Sequence, residues 1–345
     1  MHRIISYHLP PDRIAHEPAN PRDASRLFVY DTRTDTVSYA TFRDLAHFLP
    51  SRSCIVLNNT RVMPARVDLT KETGGKVTML FLVNEPARDG ALPAMADREI
   101  RVGTVVSASD YSFDVVDQDR HIFFLKPRFD PQKLPYFFDG YGRMPLPHYV
   151  ESKITKDEER SRYQTIYASG DSKSVAAPTA GLHFTERVFD SLKKHNIDVL
   201  TVTLHVGQGT FVPVTHEHFA KGTLHEEPYT ISDDVAVELS RARREGRPIV
   251  AVGTTSLRVL ETAHTHVYSG RGVSGTTNLF IHGDYKFSVV DHLITNFHLP
   301  GSSLVLLVDA FLRHKGARRN VTDLYEMAIR DGFRFYSFGD AMLIL

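Results

Sequence analysis

Cysteine and tryptophan are nearly missing from this sequence of 345 residues, which has one cysteine and no tryptophan. The cysteine, Cys54, lies in the apolar run Cys-Ile-Val-Leu at residues 54–57. A single thiol excludes a framework of internal disulfides and a zinc site built from several cysteines. The fold must therefore depend on hydrophobic cores, and a chain of this length is long enough for two domains.

The sequence also has no excess of either charge and no long apolar stretch. Lys+Arg and Asp+Glu each number 41, so the formal net charge is zero. A neutral chain does not coat nucleic acid indiscriminately, although a local basic groove stays compatible with this balance. No run of about 20 apolar residues predicts a membrane span, and the start Met-His-Arg-Ile-Ile-Ser has no signal-peptide core. We expect a soluble protein of the cytoplasm.

What the sequence does contain, between about residues 65 and 126, is a series of short β-type runs with hardly any helical periodicity. These runs cover residues 77–83, 100–106, 113–116 and 122–125, with hairpin signals at Gly74-Gly75 and Asp89-Gly90. The pattern predicts a small antiparallel β-barrel domain inserted into a larger one. We therefore predict an α/β catalytic domain from residues 1–64 plus 150–345, and an inserted domain with an aromatic-rich connector at residues 65–149.

The larger domain alternates strands and helices, which is typical of a mainly parallel sheet flanked by helices. Predicted strands at residues 55–57, 198–206, 248–252 and 289–294 each lead into a polar segment at the carboxyl end. These segments are Asn58-Asn59-Thr60, His205-Val206-Gly207, Gly253-Thr254-Thr255 and Thr295-Asn296-Phe297-His298. Each alone is equally compatible with an ordinary turn or cap, but ligands of open α/β sheets bind at this edge, so together they predict one site.

Two turns rich in small residues are the strongest sign of an enzyme. One reads Val-Ala-Ala-Pro-Thr-Ala-Gly-Leu-His-Phe at residues 175–184, and the other reads Thr-Leu-His-Val-Gly-Gln-Gly-Thr-Phe at residues 203–211. Small residues allow a ligand to approach the backbone, and the histidine in each turn, His183 or His205, can donate or accept a proton. Gly207 and Gly209 lack the third glycine of a dinucleotide-binding motif, so we do not predict a Rossmann cofactor site.

Three further segments allow more than one interpretation. The paired histidines at residues 216–218 and 264–266 have spacings that do not suit zinc, and we predict no metal. The segment His-Glu-Glu-Pro-Tyr at residues 225–229 is compatible with acid–base chemistry or with a solvated loop. Residues 127–149 interleave Phe129, Tyr136 and Tyr141 with basic residues, a pattern that suits the stacking of unpaired bases or the filling of an interdomain seam.

Several motifs in register resemble one family over nearly the whole chain, the S-adenosylmethionine:tRNA ribosyltransferase-isomerases of bacterial queuosine synthesis. They are Asp-Ala-Ser-Arg-Leu at 23–27, Leu-Asn-Asn-Thr-Arg-Val-Met-Pro-Ala-Arg at 57–66, Met-Pro-Leu-Pro at 144–147, Arg-Tyr-Gln-Thr-Ile-Tyr at 162–167, the two small-residue turns, Val-Gly-Thr-Thr-Ser-Leu-Arg at 252–258, residues 295–300, and Arg-Phe-Tyr-Ser-Phe-Gly-Asp-Ala-Met-Leu-Ile at 334–344.

The resemblance implies transfer of the ribosyl group of S-adenosylmethionine to 7-aminomethyl-7-deazaguanine at the tRNA wobble position. The ribose is rearranged, epoxyqueuosine forms, and adenine and methionine leave. The resemblance also implies an α/β domain with an inserted β-barrel, a monomer, S-adenosylmethionine as co-substrate and no prosthetic group. The alternatives are the same donor chemistry with another acceptor, and a non-catalytic RNA-binding relative.

The implied reaction requires a base at the 5′ carbon beside the sulfonium, a proton for the departing adenine and a neutral attacking amine. Histidine can serve each need near neutral pH, so we assign His183 and His205 to acid–base roles. Asn296 and His298 are assigned to orienting the ribose hydroxyls or assisting a proton transfer. We assign Gly253, Thr254 and Thr255 to the methionine carboxylate at a helix N-terminus. Asp340, Arg61 and Arg66 are assigned to the adenine or deazaguanine edge, and the other predicted substrate-binding residues are Asn58, Asn59, Thr60, Thr179, Gly181, Gly207, Gly209, Thr210 and Arg258.

The sequence departs from the family pattern where it bears on the acceptor. His148 stands where a second proline is usual, and residues 281–285 replace the usual Tyr-Pro-Gly-Tyr type of turn. The motifs assigned to the donor are intact. The resemblance therefore specifies the donor more firmly than the acceptor.

Overall fold

A computed structural model of the chain describes residues 4–146, 155–207 and 214–345. Its helices are α1 Leu45–Phe48, α2 Leu134–Tyr141, α3 Lys156–Arg162, α4 Glu186–Lys194, α5 His216–Lys221, α6 Asp233–Arg244, α7 Gly253–Thr262, α8 His264–Ser269, α9 Ser303–His314 and α10 Val321–Arg330. Within the three described ranges, no helix is both long enough and apolar enough to cross a membrane.

The strands are short, and most belong to one large sheet or to a barrel. They are β1 Arg26–Asp31, β2 Thr36–Thr41, β3 Cys54–Asn58, β4 Arg61–Val62, β5 Arg66–Lys71, β6 Lys76–Phe81, β7 Leu92–Ala96, β8 Val105–Ala108, β9 Tyr111–Asp119, β10 Ile122–Pro127, β11 Ser172–Ser174, β12 Asp198–Leu204, β13 Thr223–Ile231, β14 Ile249–Val252, β15 Val273–Leu279, β16 His292–Asn296 and β17 Ala341–Ile344.

The large sheet has, in the described part of the chain, nine strands in the order β15-β13-β12-β3-β14-β16-β17-β1-β2. The central strands β12, β3, β14 and β16 are mutually parallel, while the strands toward both edges add antiparallel pairs. The predicted α/β fold class is confirmed, and the antiparallel edges make the sheet mixed.

Strand β3 shows why the parallel centre forms. All five of its residues are buried, as expected for a strand that helices cover on both faces. Cys54 and Val56 point into the core shared with α6, α7, α9 and α10, and Ile55 and Leu57 point into the core shared with α1 and α4. A run of consecutive apolar residues is therefore required here rather than an alternating one.

Side-chain caps mark the starts of two helices. The Thr185 hydroxyl accepts a hydrogen bond from the Val188 N–H at the start of α4, and the Ser302 hydroxyl accepts one from the Val305 N–H at the start of α9. Each cap satisfies a backbone donor that the helix itself leaves unpaired. Helix α4 begins directly after the 3₁₀ turn Thr179–His183, and α9 begins after the segment that leaves β16.

The barrel lies between residues 66 and 127, all of which the structure describes. Its six strands close in the order β10-β7-β6-β5-β8-β9 with antiparallel pairing. The strand predicted at residues 100–106 is wrong in position, because β8 begins only at Val105. Strand β7 was not predicted, since Pro93 and the small residues around it have low β-propensity.

The aromatic connector packs against the barrel. Phe129 and Tyr141 contact Tyr111 with ring centroids 4.8 and 5.6 Å apart, and Phe137 lies 5.0 Å from Phe113. The segment was interpreted as a base-stacking surface or an interdomain seam, but these rings fill the core of the barrel, where they are in edge-to-face or tilted contact with one another. Tyr136, which is 73 % exposed, is the exception.

Candidate active site

A cavity opens where three of the four predicted polar strand ends meet, after β12, β14 and β16. Its enclosed part measures about 90 Å³. Its lining comes from these strand ends, from the first small-residue turn and from segments that cover them: Tyr163, Ala176, Ala177, Pro178, Thr179, Ala180, Val206, Glu227, Gly253, Thr254, Thr255, Arg258, Thr295, Asn296, His298, Leu304, Tyr336 and Ser337. The cavity therefore lies at the carboxyl edge of the parallel strands, where such sheets bind ligands.

Helix α7 points its N-terminus into this cavity. Gly253 has φ of 82°, which allows β14 to turn directly into the helix without the strain that a side chain would introduce. The Thr255 and Ser256 hydroxyls are buried and have no hydrogen-bond partner among the described residues. A helix N-terminus with unpartnered hydroxyls is suited to bind an anionic group.

We predict that Gly253→Ala destabilises the protein by about 1–2 kcal/mol, the cost of a left-handed conformation with a Cβ atom. A Cβ atom there would lie 3.6 Å from the nearest atom outside the adjacent residues, the Thr255 hydroxyl oxygen, so strain rather than a clash is the cause. Urea denaturation measures the change, with Gly140→Ala as the control because that helical glycine has open space around it. Equal stability of the two variants would contradict the role given to Gly253.

A buried ion pair forms one wall of the cavity. Arg258 donates to Glu227 through Nη1 and to the Leu279 carbonyl through Nε at 3.1 Å. The other oxygen of Glu227 accepts from the Gly207 N–H at 2.9 Å. The Nη2 group of Arg258 is buried without a partner among the residues described here.

Glu227 was not among the predicted site residues. The solvated-loop interpretation of residues 225–229 is wrong, because they lie inside β13, a strand of the main sheet. The burial of Glu227, Tyr229 and Ile231 alternates with the greater exposure of the residues between them. This period of two was the signal in the sequence, and Pro228 concealed it.

His298 and Asn296 stand next to each other on the segment that leaves β16. The Nε2 atom of His298 lies 2.8 Å from the Thr295 hydroxyl, and its backbone N–H donates to the Tyr325 hydroxyl at 3.3 Å. Asn296 donates through Nδ2 to the Tyr336 carbonyl at 3.0 Å. Burial lowers the pKa of His298 to about 3, so its imidazole is neutral at physiological pH.

His183 lies behind the cavity wall, at the end of the 3₁₀ turn Thr179–His183. Its Nδ1 atom is 2.8 Å from the Ser25 hydroxyl, and its ring packs on Phe42 with the centroids 5.0 Å apart. Burial, with smaller effects of Arg334 and Arg22, lowers the pKa of His183 to about 3, and contact with the Asn296 side chain opposes the shift. His183 does not line the cavity, whereas Thr179 and Ala180 of its turn do. The His183 Nε2 atom is buried without a hydrogen-bond partner among the described residues. Gly181 packs against Tyr167 within the same turn.

His205 lies at the rim, one residue before Val206 of the cavity lining. Its Nδ1 atom is 3.0 Å from the Thr60 hydroxyl. The ring is half-buried, and this burial, together with the positive charge of Lys173, lowers its pKa. His205 is thus neutral near pH 7, on a more accessible part of the same edge.

The predicted segment 58–60 holds this edge together and does not line the cavity. The Asn58 side chain accepts from the Thr60 and Leu204 N–H groups at 3.1 and 3.0 Å and donates to the Leu204 carbonyl at 3.1 Å. Asn59 accepts from the Thr203 hydroxyl at 2.7 Å. These bonds join the end of β3 to the end of β12, which fixes the position of His205.

Other predicted residues lie apart from the cavity. Asp340 is buried and accepts from the backbone N–H groups of Arg26 and Arg334 at 3.0 and 2.8 Å. Arg61 is exposed, and Arg66, whose pKa burial lowers, lies near Tyr163 and Glu159. Gly209 and Thr210, as well as the departure at His148, lie outside the described residues.

Tyr336 is a lining residue that sequence analysis missed. Its φ of 76° lies in a region that bulky residues rarely adopt. Its N–H donates to the Phe297 carbonyl at 2.9 Å, and its own carbonyl accepts from the Asn296 side chain and from the Gly339 N–H, both at 3.0 Å. Residues in such conformations cluster at functional sites, because the surrounding structure must impose them.

A larger, open cavity of about 790 Å³ lies at the opposite edge of the sheet, near the start of β14 and β16. Most of its charged side chains have polar partners, and among its lining residues His292 Nδ1 is the buried atom without one in the described ranges. Asp291 accepts from Arg243 at 3.3 Å, Lys315 donates to the Asp291 carbonyl at 2.9 Å, and Arg247 contacts Asp198 at 2.5 Å. We therefore assign the candidate site to the smaller cavity, whose polar groups are not satisfied internally.

Metal binding has no support from the described side chains. Across residues 4–146, 155–207 and 214–345, no group of three or more histidine, cysteine, aspartate or glutamate residues is placed to hold a metal ion. The groups that line the cavity are the His298 imidazole, the Asn296 amide, the Glu227–Arg258 ion pair and the N-terminus of α7.

Comparison with known proteins gives consistent matches over the full length. The sequence profile of the family described as "Queuosine biosynthesis protein" matches residues 3–344. The chain is 40% identical over 346 residues to the S-adenosylmethionine:tRNA ribosyltransferase-isomerase of Clostridioides difficile (strain 630), covering 99% of each chain. It is 40% identical over 355 residues to the protein of the same name from Oleidesulfovibrio alaskensis, covering 98% of this chain and 91% of that one.

A solved structure has the same overall fold. The crystal structure of S-adenosylmethionine tRNA ribosyltransferase from Thermotoga maritima is similar, with a TM-score of 0.55 and 30% sequence identity. The match covers 99% of both chains. It therefore includes both the large sheet and the barrel.

Proposed function

Because the chain belongs to the queuosine biosynthesis protein family, we propose that it transfers and isomerises the ribosyl group of S-adenosylmethionine onto tRNA. The acceptor is the aminomethyl group of 7-aminomethyl-7-deazaguanine at the wobble position, and the products are epoxyqueuosine-tRNA, adenine and methionine. The chain is thus a transferase and isomerase with S-adenosylmethionine as co-substrate. Its tRNA acceptor implies action in the cytoplasm, and the resemblance to the family implies a monomer.

The observation that carries this proposal is the convergence of three strand ends on a cavity with unsatisfied polar groups. Thr255 Oγ1, Arg258 Nη2 and Asn296 Oδ1 lack partners among the described residues, and these three residues line the cavity together with His298. Buried polar groups without partners are costly, which supports a polar ligand as their partner. We propose that the donor binds here.

We propose His298 as the group that removes the proton from the 5′ carbon. His298 lines the cavity in which we place the donor, and burial, which lowers its pKa, keeps its imidazole neutral at physiological pH, so a ring nitrogen can accept a proton. The same low pKa makes the protonated ring a strong acid, so it can pass this proton to a nitrogen of the departing adenine. No external acid is then required, and the proton lost by the ribosyl carbon leaves with adenine.

His183 and His205 take different parts in this proposal. His183 acts as a positioning residue, because its 3₁₀ turn packs against β16, the strand that ends at Asn296. His205, at the accessible rim, is neutral and can accept a proton from the incoming ammonium group of the acceptor. The exposed cations Arg61 and Lys173 lie along the same edge and are suited to contact RNA phosphates.

We predict that His183→Ala and His205→Ala each reduce adenine release by at least tenfold. A displacement of about 1 Å at a reacting group can cost about 10²-fold, and loss of a general base costs a similar factor. Single-turnover assays with acceptor tRNA measure the effect, with the exposed His195→Ala as the matched control. Rates within a few-fold of the parent for both variants would overturn the proposed roles of these two histidines.

The function is tested by incubating the protein with S-adenosylmethionine and tRNA that carries the deazaguanine precursor. Adenine together with epoxyqueuosine is the expected result. Adenine with a different modified product would favour the same donor chemistry on another acceptor. No adenine under any condition, with tRNA still bound, would favour the non-catalytic alternative. Binding of tRNA should weaken with added salt, since phosphate contacts release counterions.

A further inference from the structure

We propose that Glu227 and Arg258 bind the two charged groups of the amino-acid end of the donor. Arg258 takes the carboxylate, and Glu227 takes the ammonium group. The assignment rests on the proposed function only in that S-adenosylmethionine is the donor. This assignment defines the orientation of the donor in the cavity. The methionyl end is enclosed, and the ribosyl end lies toward His298.

Arg258 has a donor that nothing in the described structure uses. Arg258 is only 8% exposed. Its Nε group donates a hydrogen bond to the Leu279 carbonyl, and its Nη1 group donates one to Glu227. Its Nη2 group is buried without a described partner, while Arg258 itself lines the cavity. A guanidinium fixed on two sides presents its remaining N–H groups in one direction, which favours recognition of a carboxylate.

Helix α7 adds a second set of donors on the same side. Thr254 and Thr255 precede Arg258 by four and three residues, so all three lie on one face of the helix, and all three line the cavity. The N-terminal N–H groups and the positive end of the helix dipole also favour an anion there. The unpartnered Thr255 hydroxyl is a further donor for the same carboxylate.

Glu227 is the counterpart for the ammonium group. It is the one carboxylate among the cavity-lining residues in the described ranges, and only 4% of it is exposed. Among the residues that the structure describes, one of its oxygens accepts from the Gly207 N–H and the other from Arg258. A carboxylate can accept about four hydrogen bonds, so capacity remains for an ammonium group.

The size of the cavity agrees with this orientation of the donor, because the cavity is too small to enclose all of it. Its enclosed part of about 90 Å³ is well below the roughly 300–1,000 Å³ of sites that bury a whole small molecule. It therefore encloses one end of the donor, and the most deeply buried charges lie there. A buried ion pair is weak evidence for a role in stability, because desolvation cancels most of the attraction. A ligand that satisfies Arg258 Nη2 gives the pair a direct role.

The test combines two variants with two donor analogues, measured with saturating acceptor tRNA. Decarboxylated S-adenosylmethionine lacks the carboxylate but keeps an ammonium group, and 5′-methylthioadenosine lacks the whole amino-acid end. R258K should lower kcat/KM for S-adenosylmethionine by about 10- to 100-fold, the value of a charge-assisted hydrogen bond. It should leave the inhibition constants of both analogues within about twofold. E227Q should weaken S-adenosylmethionine and the decarboxylated analogue but not 5′-methylthioadenosine.

R243K is the matched control, because Arg243 also bonds a carboxylate and backbone carbonyls, but at the opposite edge of the sheet. It should change none of the three constants. Equal weakening of all three ligands by R258K would show a purely structural role and overturn the proposal, and so would an unchanged kcat/KM.

The outcome separates this assignment from the proposed function. Normal turnover by the parent, with no ligand-specific effect of R258K, overturns the assignment alone. If the parent binds labelled S-adenosylmethionine in equilibrium dialysis but releases no adenine, the proposed function fails. The same comparison of variants and analogues by dialysis then still decides the assignment.

Discussion

Replacing His298 with glutamine should lower the rate of adenine release by about 10²–10⁴-fold, the usual contribution of a general acid–base group. Glutamine is close in size to histidine and can keep a hydrogen bond to the Thr295 hydroxyl, which now lies 2.8 Å from Nε2. It has no lone pair basic enough to take a proton from the 5′ carbon. The substitution therefore removes the chemistry and preserves the packing.

The measurement is a single-turnover assay with saturating donor and tRNA, so that product release does not mask the chemical step. Binding of 5′-methylthioadenosine serves as the check that the cavity is intact, and His195→Gln serves as the surface control. A His298→Gln rate within threefold of the parent would mean that another group takes the proton. Asn296 would then be the next residue to vary, since it lies on the same segment and lines the cavity.

A second large effect is expected on stability, which should fall steeply below pH 6.5. Burial lowers the pKa of His183 and His298 to about 3 and, aided by Lys315, that of His292 to about 4. An unfolded histidine has a pKa of about 6.5. Between about pH 6 and pH 4 the unfolded chain therefore binds protons at these positions that the folded chain does not bind.

The sign and size follow from linkage. A group whose pKa is lowered by folding contributes stability above the unfolded pKa, and this stability is lost as pH falls toward the folded pKa. Each such histidine contributes about 1.4 kcal/mol per pH unit, so the three described here give a slope of about 4 kcal/mol per unit. Glu261, whose pKa burial raises, acts in the opposite sense at lower pH.

Urea denaturation at pH 7, 6 and 5 measures this slope. His292→Gln should reduce it by about one third and leave catalysis nearly unchanged, because His292 lies at the sheet edge opposite the cavity. A free energy of unfolding that stays constant from pH 7 to pH 5 would contradict the burial of neutral histidines. It would also weaken the argument that His298 is a free base at neutral pH.

Much of the fold could be predicted because its signals are local. The apolar run at residues 54–57 requires a strand covered on both faces, and the Thr185 and Ser302 caps mark helix starts. The errors occur where tertiary contacts override local preference. Strand β7 contains Pro93, and β13 contains Pro228, so neither has the composition of a strand.

The position of the site could be predicted, but the full set of residues that line it could not. Parallel strands present their carboxyl ends at one edge, so Thr254, Asn296 and His298 were expected together, and the structure brings them together. How far a histidine in a turn lies from the cavity depends on tertiary packing. The residues of the turn alone do not indicate this distance. His183 lies behind Asn296 and His205 lies at the rim, although both histidines belong to the most suggestive turns.

Tyr336 and Glu227 line the cavity but were not predicted from the sequence. The unusual φ of Tyr336 depends on hydrogen bonds from Asn296 and to Phe297, which are about 40 residues away in the sequence. Glu227 faces the cavity because β13 pairs with β12 and β15 in a register that its own residues do not reveal. Both residues enter the site through long-range contacts.

The central claim is that the donor binds in the cavity at the carboxyl edge of β12, β14 and β16. A crystal structure of the protein with S-adenosylmethionine tests it most directly. We expect the donor carboxylate at Arg258 and the N-terminus of α7, the ammonium group at Glu227, and the 5′ carbon within reach of His298. Density for the donor in the larger cavity beside His292 and Lys315 would contradict the claim.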